Sequence, residues 1–340
     1  MRREPYKALV VGAAGNVGTR LVAHLRAAGH EVMEADVRPG LREGYVVADI
    51  TQPVDLLPAF DWGPDVVFHL AAAVGRTTCE QAGALAVATN LLGLGNVLQL
   101  CRRAQATCVY FSTSEVYGPD EAVHDDVHSR PHPNNRYGLS KYLGEQLVEY
   151  EVRHAGLRAV TVRPCMIYDE HETVGEHRSA MIRFAANLAR GRGITVHAGS
   201  ARGWLHATDA ARAIEAAGYV REYATINLGH PDVVPMQRLA AMMCAELGAD
   251  PSLVTVQELP PRMTLVKRPT LERQRTLLGV EPAVSLADGV RRVCAVQAQA
   301  AARERLGVAA AGAGVVGPAD ATYPAPVSGR GVSAAQSAAR

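Results

Sequence analysis

The chain has 340 residues, of which 48% are hydrophobic and 20% are charged, and its formal net charge is +1. This composition is globular, and the length suits one large α/β domain or a cofactor domain with a smaller lobe. A near-neutral charge without long runs of one sign argues against nucleic acid or an anionic membrane as a partner, and no stretch reads as the ~20 apolar residues of a membrane span.

The first half of the chain alternates β-branched apolar segments with helical ones. Strands are predicted at KALVVGA, HEVMEAD, DVVFHLAA, TCVYFST and RAVTVRP. Helices are predicted at NVGTRLVAHLRAAG, from about Ala82 to Ala104, and from about Gly138 to His154. This alternation predicts an α/β fold with a doubly wound parallel sheet.

The pattern becomes irregular after Pro164, where amphipathic segments such as MIRFAANLARG and MQRLAAMMCAELG lie between short strands. We expect residues 1–165 to form the cofactor-binding domain and residues 166–306 a smaller C-terminal α/β substrate lobe, with parts of 200–230 returning to the first domain. Residues 307–340 are rich in Ala, Gly, Pro and Ser, which predicts a low-complexity tail with little core contribution.

Three glycines follow the first strand and open the first helix. Gly12, Gly15 and Gly18 stand in VVGAAGNVGTRLV, and glycine is needed there where the chain turns tightly and backbone approaches a pyrophosphate. The helix N-terminus then offers free N–H groups to the anion. The segment predicts a dinucleotide-binding loop.

Two carboxylates downstream fit the same ligand. Asp36 ends the second strand, where an acid accepts hydrogen bonds from a ribose diol and repels a 2′-phosphate. Arg38 is the counter-argument, because arginine can hold NADP, but the position of Asp36 favours NAD. Asp49, in VVADIT, is a further candidate for the adenine amino group.

The fourth predicted strand, TCVYFST, and the segment after it carry a candidate acid–base set. Tyr137 and Lys141 stand at i and i+4 on one helix face, so their side chains can meet. A nearby ammonium lowers a tyrosine pKa from about 10 toward working pH. Such a phenolate takes a proton from a hydroxyl as hydride leaves, and Thr113 would hydrogen-bond the same oxygen.

The glycine spacing, HLAAAV, STSEVYG and the Tyr137–Lys141 motif together resemble the extended short-chain dehydrogenase/reductase family, and more narrowly its nucleotide-sugar epimerases, dehydratases and decarboxylases. The resemblance runs from about Lys7 to about Leu306. It implies a Rossmann domain, NAD, a nucleotide-diphosphate sugar as substrate and a homodimer formed by pairing helices. The further cofactor residues that it implies are Asn16, Val17, Ile50, Leu70, Ala71 and Ala72.

The resemblance also points to substrate residues. Arg202 matches an arginine that meets the nucleotide diphosphate, and Lys267 or Arg268 matches a cation near the phosphate or sugar. Met166 stands where the family usually has an asparagine, and Asp169 where it usually has a glycine, so we expect an unusual sugar pocket. Residues 177–184, which include Arg178, are expected to supply nucleotide contacts.

Ser114 and Glu115 decide between reactions. Dehydratases resemble Thr-Asp-Glu here, whereas sugar-acid decarboxylases resemble the Thr-Ser-Glu of this chain, although they prefer arginine at the position of Lys267. Since both lyase signatures are incomplete, the sequence favours an epimerase that oxidises a ring hydroxyl, usually at C4, and reduces it from the other face. A lyase that uses Glu115 and a non-catalytic NAD-binding regulator are the alternatives.

Six scattered cysteines without CxxC spacing predict buried, reduced thiols in a cytoplasmic protein. The start of the chain enters a strand directly and does not read as a signal peptide. The segment HDDVHSRPH could in principle ligate zinc, but it lies in a proline-rich connection and the chemistry needs no metal, so no metal site is predicted.

Overall fold

The computed structural model of the protein describes residues 4–119, 123–175, 179–260 and 263–306, so the predicted tail lies outside the described residues. The strands are β1 Lys7–Val11, β2 Glu31–Asp36, β3 Tyr45–Val47, β4 Val66–His69, β5 Thr107–Phe111, β6 Ala159–Pro164, β7 Ile167–Tyr168, β8 Ile194–His197, β9 Ala201–Gly203, β10 Leu205–His206, β11 Thr225–Leu228, β12 Val233–Pro235, β13 Val254–Gln257 and β14 Val266–Lys267. The α-helices are α1 Asn16–Ala27, α2 Pro53–Asp61, α3 Arg76–Gln81, α4 Gly83–Val87, α5 Leu94–Arg103, α6 Arg136–Ala155, α7 Ala180–Ala189, α8 Ala207–Ala217, α9 Met236–Leu247, α10 Glu272–Thr276 and α11 Leu286–Arg305.

Within the described residues, a seven-stranded parallel sheet has the order β11-β6-β5-β4-β1-β2-β3. The predicted α/β Rossmann fold is therefore confirmed. From the middle of the sheet, β1, β2 and β3 follow one another to one edge, and β4, β5, β6 and β11 follow one another to the other edge, so the direction of strand order reverses between β1 and β4. That reversal opens a crevice at the carboxyl ends of β1 and β4, where this fold binds its ligands.

Apolar side chains cover both faces of the sheet. On one face α1 and α8 pack on the strands, and on the other α2, α5 and α6 do. Strands buried on both sides account for the nearly continuous apolar runs of the sequence, such as VVF in β4.

The chain after β6 builds a smaller lobe and also returns to the main sheet. The helices α7, α9 and α11 enclose a separate apolar core with Trp204, beside the small sheets β12-β9-β14 and β13-β8. By contrast, α8 and β11 pack on and extend the main sheet. Lys267, the last residue of β14, lies close to the carboxyl end of β5 in the main sheet, at the site described below.

The helix predicted from about Ala82 to Ala104 is divided in the structure. It consists of α4, a π-helical turn at Ala88–Gly93, and α5, and α3 precedes it as a separate helix. Within the described chain, this run from Gly83 to Arg103 is long and apolar enough to cross a membrane by length and composition. Core helices meet the same criterion, and Asn90 and Gly93 in its middle are buried within the protein.

Candidate active site

A cavity of about 690 Å³ opens at the carboxyl edge of the main sheet, over β1 and β4. Every residue that the sequence predicted for the cofactor lines it: Gly12, Gly15, Asn16, Val17, Gly18, Asp36, Asp49, Ile50, Leu70, Ala71, Ala72, Tyr137 and Lys141. These residues come from separate motifs, and they meet because the carboxyl ends of parallel strands share one edge.

The glycine loop is shaped by a close approach of backbone to backbone. A Cβ atom on Gly18 would lie 2.2 Å from the carbonyl oxygen of Gly12, so this position in the first turn of α1 requires glycine. Gly15 is the N-cap of α1 and supplies no side-chain hydrogen bond to the first turn. The N–H groups of that turn therefore remain available to an anion, as a pyrophosphate site requires.

Asp36 is held in place by the backbone around it. Its two carboxylate oxygens accept hydrogen bonds from the N–H groups of Ala14 at 2.9 Å and Arg38 at 3.0 Å. An ionised carboxylate has about four lone-pair sites, so both oxygens can still accept from ribose hydroxyls. Asp49 orders its own turn by accepting from the N–H and hydroxyl of Thr51.

Thr113 and Tyr137 are brought together by a glycine. Thr113 follows β5 and caps the 3₁₀ turn Ser114–Tyr117, and Tyr137 is in the first turn of α6. A Cβ on Gly138 would lie 2.6 Å from the carbonyl oxygen of Glu115, so glycine allows α6 to pack on this turn. The hydroxyl of Thr113 lies near enough to that of Tyr137 to lower the pKa of the tyrosine.

The protonation states differ from the expected phenolate–ammonium pair. Burial raises the pKa of Tyr137 well above its usual value, and the hydrogen bond from Thr113 offsets only part of this effect. Burial also lowers the pKa of Lys141 to about 7, although Glu145 acts in the opposite direction. The Lys141 ammonium lies 4.5 Å from the centre of the Tyr110 ring. The protein alone therefore keeps Tyr137 as a neutral phenol.

The second half of the site centres on Glu115. Lys267, which ends β14, forms an ion pair with Glu115 Oε1, and Asn135 Nδ2 donates to Oε2 at 2.9 Å. Burial alone would raise the pKa of Glu115, but the charge and hydrogen bond of Lys267, the charge of Arg76 and the bond from Asn135 lower it to about 2. Glu115 is thus an anion throughout the neutral range.

Sequence reasoning missed several of these partners. Asn135 could have been found from its place as the N-cap of α6, where it accepts from the N–H of Gly138 at 2.9 Å. Asn90 forms hydrogen bonds with the backbone of Ala73, which lines the cavity, and with the Ser140 hydroxyl. Arg76, at the start of α3, carries no comparable local signal.

The predicted substrate residues are placed unequally. The Arg202 guanidinium is buried and donates to the backbone carbonyls of Ala201, Thr264 and Leu265, so much of its donor set is used inside the protein. Arg268 is exposed, whereas the neighbouring Lys267 is buried at Glu115. Of the two cations left open by the sequence, Lys267 is the one at the site.

Three further residues were predicted to contact the substrate or take part in catalysis: Met166, Ser114 and Arg178. Met166 has a φ of +43°, a left-handed conformation that is strained for a residue other than glycine. The Ser114 side chain is buried, and it lies near enough to the buried thiol of Cys165 to lower the pKa of that thiol, although burial raises this pKa overall. Arg178 lies outside the described residues, and its predicted nucleotide contact stays a prediction.

The histidine-rich segment does not gather its side chains. His124 is fully buried and stacks on Tyr117 with ring centres 4.6 Å apart, whereas His128 is exposed and pairs with Asp125. Among the described residues, no group of three or more His, Cys, Asp or Glu side chains is arranged to hold a metal ion.

The sequence matches the NAD dependent epimerase/dehydratase family over residues 8–229. The chain belongs to this family. The matched range runs from β1 through β11 and includes the glycine loop, Asp36, Thr113, Tyr137 and Lys141, so the match covers the complete cavity described above.

Relatives within the family catalyse different reactions. UDP-glucuronic acid decarboxylase 1 of Xenopus tropicalis is 25% identical over 301 residues, covering 84% of this chain and 70% of that protein. UDP-glucose 4-epimerase of Mycolicibacterium smegmatis is 25% identical over 307 residues, covering 84% and 96%. A solved dTDP-glucose 4,6-dehydratase of Streptomyces venezuelae with NAD bound has a TM-score of 0.75 at 25% identity, covering 88% and 98%.

The cofactor of this family member is NAD, and the cavity fits it. The uncapped first turn of α1 suits a pyrophosphate, Asp36 suits a ribose diol, and Tyr137 and Lys141 line the same space. When bound, NAD accepts and returns a hydride. The protein thus belongs to an enzyme family that includes nucleotide-sugar epimerases, decarboxylases and dehydratases.

Proposed function

We propose that this protein is an NAD-dependent nucleotide-sugar epimerase that inverts a ring carbon, C4 in the simplest case. The observation that carries the proposal is that Tyr137 lines the NAD cavity with Thr113 next to it, while the nearby Glu115 is held as an anion by Lys267. The first pair suits proton transfer at a sugar hydroxyl. The second keeps Glu115 ionised, so this carboxyl carries no proton for an elimination.

In this proposal Tyr137 removes the proton of the sugar hydroxyl when hydride leaves the same carbon, and it returns a proton when the ketone is reduced from the other face. Because its own pKa is raised by burial, Tyr137 needs a positive charge nearby to act as a base. Lys141 is the protein's candidate for that charge, and Thr113 orients the reacting oxygen.

The protonation of Glu115 argues against a dehydratase. Loss of water requires an acid that protonates the departing hydroxyl. Glu115, whose pKa is lowered to about 2, is ionised at neutral pH and is already bonded to Lys267 and Asn135. Epimerisation needs no such acid, because only one hydroxyl proton and the hydride move.

A sugar-acid decarboxylase is the second candidate, and the Lys267–Glu115 pair is the observation that favours it. The sequence placed a lysine where decarboxylases prefer arginine, but the structure brings this cation to Glu115 all the same. Arg76 adds a second positive charge near this carboxylate. Together they provide cations next to which a sugar carboxylate could bind.

Product mass separates the candidates. We expect a panel of UDP-, dTDP- and GDP-sugars, with UDP-glucuronic acid included, to give a product of unchanged mass and an inverted ring carbon by NMR. Loss of carbon dioxide or of water would replace the epimerase proposal with the corresponding lyase. Bound NAD without turnover of any sugar would instead favour the non-catalytic regulator.

We further propose a cytoplasmic homodimer. The helix α6 and the turn before α5 expose apolar side chains to solvent, including Leu92, Leu139 and Leu143, which suits burial against a second copy. The described cysteines are all buried free thiols, as in a reducing compartment. Light scattering should give twice the chain mass, and Leu143→Lys should reduce it.

A further inference from the structure

The segment after β7 forms one wall of the NAD cavity. Asp169 and Glu172 line this wall next to Tyr168, the last residue of β7, and the glycine loop with the start of α1 lines another. Asp169 stands where the family resemblance leads us to expect glycine. The carboxylate is therefore a feature of this chain, and it faces a cavity that receives an anionic pyrophosphate.

Arg20, in the second turn of α1, connects the two walls. Its guanidinium donates to both carboxylate oxygens of Asp169, with a 2.8 Å bond from Nη2 to Oδ1 and a second contact from Nε to Oδ2. The side chain of Asp169 is 7% exposed and that of Arg20 is 32% exposed. A bidentate guanidinium–carboxylate pair fixes geometry as well as charge.

The wall is also held from the other side. Glu170 lies 3.5 Å from Arg20 and is bonded to His206 Nε2 at 2.8 Å. The other ring nitrogen of His206 accepts the N–H of Thr208, so Nε2 carries the proton and donates to Glu170. The segment is thus tied to α1 on one side and to the start of α8 on the other.

The pair of Arg20 and Asp169 also neutralises charge in the cavity wall. Burial alone would raise the pKa of Asp169, but the hydrogen bond and charge of Arg20 together with the N–H of His171 outweigh burial and keep this pKa below the usual range. Asp169 is therefore ionised, and Arg20 supplies the compensating charge. Without Arg20, a buried negative charge would remain in the cavity wall and would repel a pyrophosphate.

We propose that Arg20 and Asp169 form a clasp that joins the two walls of the NAD cavity and retains the bound dinucleotide. Release of the cofactor then requires the pair to open. Retention suits a reaction in which the same cofactor molecule takes up hydride and gives it back within one turnover.

The dissociation rate of the cofactor tests the clasp. Full-length protein loaded with NADH is mixed with excess NAD, and the decay of NADH fluorescence gives the rate. We expect Arg20→Gln and Asp169→Asn each to raise it by about tenfold, the factor for one charge-assisted interaction. The double variant should be no faster than the faster single variant, because both changes break one interaction.

Asp169→Gly is a second disruption that introduces the family's residue, and it should release NADH as fast as Asp169→Asn. Arg153→Gln is the matched control, since it breaks an exposed ion pair with Glu149 on α6, and its rate should equal that of the wild type. Unchanged rates in the clasp variants would overturn the proposal. So would faster release from Arg20→Gln with slower release from Asp169→Asn, which would show an effect of charge alone.

Discussion

The cofactor half and the sugar half of the site are built differently. In the cofactor half, the cavity is lined by backbone N–H groups, short loops and Asp36. Each of these groups lies at the end of a strand or at the start of a helix that its own stretch of sequence predicts. In the sugar half, Glu115 meets Lys267, a partner 152 positions away in the chain. The first half is specified by local backbone geometry and the second by long-range pairs of side chains.

This difference teaches where the family can change its chemistry. The parallel sheet fixes the position of Thr113 and Tyr137 against the cofactor, and relatives that perform different reactions share this fold. The groups that surround Glu115 come from segments outside the main sheet: the charges of Arg76 and Lys267 from α3 and β14, and the hydrogen bond of Asn135 from the N-cap of α6. The cavity lining given above includes neither Glu115 nor Lys267, so we expect changes at these two residues and changes in the cofactor half to have separable effects.

Tyr137→Phe is expected to show the largest difference between an effect on catalysis and an effect on cofactor binding. Removing the hydroxyl should reduce kcat by about 10²–10⁴-fold, the usual contribution of a general acid–base group, while NAD content stays at the wild-type level. Tyr150→Phe, on the exposed part of the same helix, is the control and should retain full activity. Activity of Tyr137→Phe near that of the wild type would show that another group moves the proton.

Lys267→Met should affect the sugar half and leave the cofactor half intact. It leaves the carboxylate of Glu115 buried without its cation, which we expect to lower the free energy of unfolding by roughly 3 kcal/mol and to raise KM for the sugar, with the affinity for NAD unchanged. Chemical denaturation and NAD titration measure these effects.

The double variant Glu115→Gln with Lys267→Met should recover most of the lost stability, because no unpaired charge remains. Arg275→Met is the matched control, since its ion pair with Glu272 is exposed, and it should change stability by less than about 0.5 kcal/mol. A Lys267→Met protein as stable as the wild type would contradict the buried pair.

The buried Lys141 should make stability depend on pH in the cofactor half. Its pKa is about 7 in the folded protein and about 10.4 when unfolded, so between these values the unfolded chain binds the additional proton. Stability therefore rises with pH, by about 2 kcal/mol from pH 7 to pH 9. Denaturation of NAD-free protein should show this rise in the wild type and lack it in Lys141→Met. Equal slopes would place the titration on another group.

The smallest effect is expected from Asp36→Ala. Losing the acceptor for the ribose diol should weaken NAD by about tenfold, the value of one hydrogen bond to a charged group. NADP should be affected less, because Arg38 loses its carboxylate partner at 3.3 Å and becomes free to meet a 2′-phosphate. Titration with both dinucleotides measures the ratio, and equal losses would remove Asp36 from the choice between them.

The sequence by itself determined the fold and the lining of the cofactor cavity. Apolar periodicity, the glycine loop and the residues at strand ends are local signals, and the topology of a parallel sheet brings such ends together without further information. The Tyr137–Lys141 spacing likewise follows from helix geometry.

Only the tertiary structure decided the electrostatics. It showed that burial keeps Tyr137 protonated and lowers the pKa of Lys141, where spacing alone suggested a phenolate beside an ammonium. It placed Lys267 at Glu115 and joined Arg20 to Asp169. Charge states depend on desolvation and on partners far along the chain, and both exist only once the lobe has packed against the sheet.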